Sequence, residues 1–142
     1  MQTVVVGNPF DMPKAAFDDH VRILMRHQNR GVPAEFVEGQ TERTSPLYKV
    51  VVGFNLPRAV TLSQMCRDPA GLPIRPKTVR IDIAIVFCQG DEAMSGTTGR
   101  ADNVSGPNDP KFAELVRYAT LYMLSDYDYR RDRSIDIRSW LP

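Results

Sequence analysis

Val79-Arg80-Ile81-Asp82-Ile83-Ala84-Ile85-Val86-Phe87-Cys88 is the stretch whose reading decides the fold. Val79, Ile81, Ile83, Ile85 and Phe87 fall on one side of an extended chain, and Arg80, Asp82, Ala84, Val86 and Cys88 on the other. Successive side chains of a strand point to opposite faces, so this alternation predicts a strand with one buried face. Residues 47–54 repeat the pattern, with Tyr48, Val50, Val52 and Phe54 on one side. The two stretches are expected to be antiparallel neighbours, with Val50 and Val52 on the same buried side as Ile81, Ile83 and Ile85. A slip of one residue would turn that whole set to solvent. The opposite face, with Lys49, Val51, Gly53, Arg80, Asp82, Ala84 and Val86, is half polar and small. It suits an open face, solvated or covered by a partner.

Toward the N-terminus, Val4, Val5 and Val6 form a short unalternating run, which predicts an interior strand covered on both faces. Asp11 is a candidate helix cap, and Pro13 suits a first helical turn, where its missing N–H costs nothing. A helix is expected over 13–30, its stripe made by Phe17, Val21, Leu24 and Met25, with Gly31 as its stop. Residues 34–37 offer a short strand and 39–46 a polar turn. The segment 55–77, with five Pro or Gly positions from Pro57 to Pro76, reads as mostly irregular, with a helical turn over 59–66.

Toward the C-terminus, 89–109 is rich in Gly, Ser, Asp and Asn and reads as a long mobile loop. Pro110 opens a second helix to about residue 124, with a stripe of Phe112, Leu115, Val116, Ala119 and Met123. Leu121 and Leu124 lie off that stripe, leaving more apolar surface than one sheet contact needs. The expected architecture is α+β. A mostly antiparallel sheet of about four strands, in the order β-α-β-β-β-α, carries both helices on one face. Residues 1–124 make one domain, and 125–142 a tail packed on it or on a partner.

Composition narrows the function classes. The chain has 142 residues, 42% hydrophobic and 25% charged, which are ordinary values for one globular domain. A net charge of +1 gives no electrostatic case for nucleic acid. No apolar run approaches the roughly 20 residues of a transmembrane helix. Met1-Gln2-Thr3 leads straight into the first strand. That start is read either as native, and cytoplasmic, or as what remains of a periplasmic or envelope-associated protein once a leader is trimmed.

Chemistry-bearing residues are few. Cys66 and Cys88 have no CxxC spacing. In an oxidising compartment they would close a loop of 22 residues, and the chain-entropy model gives such a bridge about 3 kcal/mol. The alternative is two buried free thiols acting as small apolar residues. His20 and His27 share a helix side but stand about 10 Å apart along the axis, too far for one metal without further ligands. The run 95–100, Ser-Gly-Thr-Thr-Gly-Arg, invites a phosphate-loop reading but lacks the Gly-Lys-Ser/Thr ending. The tail alternates Asp126, Asp128, Asp132 and Asp136 with Arg130, Arg131, Arg133 and Arg138, which reads as a solvated surface with local ion pairs. No catalytic, metal-binding or cofactor-binding residue is assigned, and no cofactor. Leu121, Leu124, Tyr127, Tyr129 and Trp140 are the candidate interaction surface, because aromatics beside arginines are enriched in contact patches.

The opening Val-Val-Val-Gly-Asn-Pro-Phe, the run Val-Phe-Cys-Gln-Gly-Asp at 86–91 and Gly-Pro-Asn-Asp-Pro-Lys-Phe at 106–112 are similar to segments of uncharacterised alpha-proteobacterial envelope lipoproteins. The resemblance implies a periplasmic lipoprotein domain and transfers no functional residue. The expectation is a non-enzymatic accessory or interaction domain of the bacterial envelope. It would take a protein partner, or a second copy, through the second helix and tail. The alternative is a cytoplasmic small-ligand-binding protein or enzyme using 89–109 as a lid. Thiol state separates the two.

Overall fold

The computed structural model describes residues 2–26, 48–73 and 80–130, the last six as backbone alone. Its elements are β1 (Gln2–Val6), α1 (Lys14–Arg26), β2 (Tyr48–Phe54), α2 (Leu62–Arg67), β3 (Ile81–Gln89), β4 (Glu92–Ala101) and α3 (Pro110–Arg130), with a 3-10 turn at Pro69–Gly71. The sheet order is β1-β2-β3-β4. The fold is α+β, in the expected order with α2 added between β2 and β3. The sheet is mixed: β1 runs parallel to β2, and the other two pairs are antiparallel.

The β2–β3 register sets Val50 opposite Phe87, Val52 opposite Ile85 and Phe54 opposite Ile83. All six are buried on the face covered by α1 and α3. Phe17 of α1, Phe54 of β2 and Phe112 of α3 meet there, with ring centroids 5.2 Å apart for Phe17–Phe54 and 5.6 Å for Phe54–Phe112. Aromatic pairs at such distances contribute about 0.5–1.5 kcal/mol beyond their buried area. A smaller apolar cluster of Val6, Val51, Leu56, Met65, Val86 and the two cysteines fills the opposite face under α2.

Five expectations are corrected. Among the described residues β1 lies at the sheet edge, not in its interior. Its valines are apolar because both faces are covered, Val5 by the helix-side core and Val6 by the α2-side cluster. Helix α1 starts at Lys14, with the Pro13 carbonyl accepting the Phe17 N–H at 2.9 Å, so Asp11 stands two residues before the cap position. The expected open face is partly roofed by α2. Residues 89–109 are not one loop, because β3 turns directly into β4 through Gly90-Asp91, with Gly90 at φ 58°. Finally, α3 runs to Arg130 and not to residue 124. It packs on β3 and β4 and against α1, so its buried arc is wider than one sheet contact needs. Leu124 falls within that arc and is buried in the core. The expected elements at 34–37 and 39–46, the helix end at 27–30 and the tail beyond Arg130 lie outside the described residues.

Candidate functional site

Beside α2 the sheet leaves a cleft of ≈ 470 Å³, lined by Leu56, Pro57, Arg58 and Val60 on one side and by β3 and β4 on the other. Its wall is built by local rules. Asn55 ends β2 at φ 54°, a left-handed conformation that Asn tolerates better than other side chains. Its backbone N–H donates to the Asp82 carbonyl at 2.9 Å, and its side-chain oxygen accepts the Asp82 N–H at 2.8 Å. Both bonds fix the point where the chain leaves the sheet. Leu56 folds back over Gly53, where a Cβ would lie 2.4 Å from the Leu56 Cδ1. The Val60 N–H donates to the Pro57 carbonyl at 3.0 Å and closes a turn that carries Arg58 at its tip.

A capping box then starts α2. The Gln64 N–H donates to Thr61 Oγ1 at 3.2 Å, and the Thr61 N–H donates to Gln64 Oε1 at 2.7 Å. Six residues are too few for a stable isolated helix, so α2 depends on this cap and on the burial of Met65 and Cys66.

Asp82 pairs across the ladder with Arg100, and Ala84 with Thr98. Ala84 and Thr98 are small, which keeps the β3–β4 side low. Arg100 Nε donates to Asp82 Oδ1 at 3.3 Å. Both ends of this pair are partly exposed, so it adds little stability and chiefly orients the guanidinium. Outside the cleft, Arg80 Nε donates to Asp102 Oδ1 at 3.1 Å. A second hollow of ≈ 450 Å³ flanks α2 and shares Pro57 and Val60 with the first.

The residues singled out from sequence divide between places. Cys66 of α2 and Cys88 of β3 are joined in a disulfide, with Cα atoms 5.7 Å apart and both side chains fully buried. Leu121 is half-buried, and Leu124 belongs to the core and is removed from the interaction surface. Tyr127 and Tyr129 lie on the last turns of α3, where the backbone alone is described, and Trp140 and His27 lie outside the described residues. Among its described side chains, the large apolar ones that α3 exposes are Tyr118 and Tyr122, one turn apart. His20 Nε2 lies 2.7 Å from the Pro107 carbonyl, and its ring stacks on Phe112 at 6.0 Å, so it ties α1 to the loop before α3.

Residues 95–100 lie within β4, in ladder pairing with β3, and no phosphate loop forms there. Ser95 is buried and donates to the Met123 carbonyl at 3.0 Å. Among the described residues no three His, Cys, Asp or Glu side chains gather as a metal site, and no helix is long and apolar enough to cross a membrane.

The cleft residues escaped the sequence reading in part. Asp82 and Ala84 were legible as the polar, small side of β3. Arg58 and Arg100 were not, because neither their turn nor their strand is visible in the hydropathy pattern. Thr61-Leu62-Ser63-Gln64 is a capping-box pattern that would have fixed the start of α2, where the sequence offered a helical turn over 59–66. No protein-family model, no curated protein and no solved structure matches the chain.

Proposed function

We propose that the chain is a non-enzymatic accessory domain of the bacterial cell envelope, built to bind rather than to catalyse. The observation that carries the reading is the Cys66–Cys88 disulfide, which pins α2 to the sheet beside the cleft. Disulfides persist in oxidising compartments and are rare in the reducing cytosol. A fully buried bridge between two elements suits a structural staple better than a redox centre, which needs an accessible sulfur. The resemblance to envelope lipoproteins points to the same compartment. The lid in the alternative, cytoplasmic reading loses support, because residues 92–101, about half of 89–109, are the paired strand β4.

The test is the thiol state in the cells that make the protein. Material quenched in acid, alkylated in denaturant without reductant and weighed intact is expected to carry no adduct. Denaturant matters, since buried thiols in a folded domain would escape the reagent. Two adducts per chain would return the protein to the cytosol and overturn the envelope reading.

A further inference from the structure

We propose that the cleft beside α2 binds a small organic carboxylate, with its head on the guanidinium groups of Arg58 and Arg100 and its apolar body along Leu56, Pro57 and Val60. This deepens the reading of the chain as a non-catalytic binding domain and rests on it. The size fits: ≈ 470 Å³ lies within the roughly 300–1,000 Å³ of small-molecule sites. So does the composition, an apolar wall with a few convergent polar groups.

Charge selects the ligand class. Arg58 makes no ion pair or hydrogen bond with the described residues, and Arg100 engages only its Nε, with Asp82. Both guanidinium groups therefore keep terminal N–H donors for a ligand, in the forked geometry that suits a carboxylate. Two arginines against one aspartate among the described lining side chains favour an anion, and the apolar wall of Leu56, Pro57 and Val60 favours one with an organic body over inorganic phosphate. The site is also pre-formed. Asn55 and the Pro57–Val60 turn hold the Arg58 segment, and strand pairing holds Arg100, so little ordering is left to oppose binding.

The experiment is an amide-shift titration of the ¹⁵N-labelled, disulfide-intact chain with hexanoate, with 1-hexanol as the neutral isostere and inorganic phosphate as the competing anion. Hexanoate is expected to give saturable shifts at Ala84, Thr98, Gly99 and Arg100. Hexanol should give none at those positions, and phosphate should bind more weakly than hexanoate. Arg58→Gln, at an exposed turn, should keep the native melting temperature and weaken hexanoate about tenfold, the usual worth of a charged hydrogen bond. Absence of saturable shifts, equal shifts from hexanol, tighter binding of phosphate, or unchanged affinity in a folded R58Q would each overturn the site. The thiol experiment does not involve the cleft, so failure of hexanoate binding with Cys66 and Cys88 bridged overturns the carboxylate site alone.

Discussion

Asp109 holds the start of α3 with one carboxylate. Its Oδ1 accepts the Lys111 N–H at 2.9 Å, and its Oδ2 accepts the Ser105 N–H at 2.9 Å and the Ser105 hydroxyl at 3.1 Å. The backbone N–H of Ser105, then that of Lys111, hold its carboxyl below the usual carboxylate range. Desolvation opposes them with an effect smaller than either backbone bond, and the Ser105 hydroxyl and the Lys111 charge add lesser contributions that lower it. With the native pKa lowered, the unfolded chain takes up the proton first as pH falls. The group therefore contributes stability that is present above its unfolded pKa and is lost as pH falls through its native one. Asp109→Ala is expected to melt below wild type at neutral pH, with the gap narrowing in acid as the wild-type carboxylate protonates. Melting curves at the two pH values check it, and a constant gap would show that the charge is not the source.

At the scale of elements, β4 shows what the sequence conceals. Its positions on the α3 side are Ser95, Thr97, Gly99 and Ala101, opposite Phe87, Ile85, Ile83 and Ile81 of β3. They are small because α3 lies directly over them: a Cβ at Gly99 would lie 3.1 Å from Leu115 Cδ1. On the other side, a Cβ at Gly96 would meet the Ile85 carbonyl oxygen at 2.5 Å and Leu62 Cδ1 at 2.9 Å. A register shift at Phe87/Cys88 also breaks the strand's period near Met94. So the large alternating side chains that made β2 and β3 legible are missing from β4, and its glycines, which read as loop, mark close packing. The same close packing hid Arg100, and with it half of the cleft. Helices α1 and α3 were legible because each buries large side chains at helical spacing. Gly96→Val is expected to destabilise the domain by about 1–3 kcal/mol, the usual cost of overpacking, since a backbone oxygen on the neighbouring strand has little room to yield. Denaturant unfolding measures it, and an unchanged midpoint would contradict the close approach of β4 to β3 and α2.

At the scale of the molecule, the described residues form two apolar clusters of unequal size, one on each face of the sheet. The larger joins α1 and α3 to the sheet through four fully buried phenylalanines, Phe17, Phe54, Phe87 and Phe112. Among the described residues the smaller holds the six-residue α2 and the segments around it, and the disulfide runs through it. The layers therefore should not share one stability. Without the bridge, α2 keeps its capping box and the burial of Met65, which is little for a helix too short to stand alone. In a Cys66→Ala, Cys88→Ala double variant, the α2 side is expected to open locally while the α1–α3 side stays folded. The chain-entropy model puts the bridge at about 3 kcal/mol. Native-state amide exchange should then show the Met65 and Asp68 amides, which donate to Thr61 and Gln64 carbonyls, losing protection by up to about a hundredfold. Amides in the middle of α3 should keep theirs, because local opening of one layer leaves the other's hydrogen bonds intact. An equal loss at α2 and α3 would mean that the bridge supports the whole sheet and that the two faces unfold as one unit.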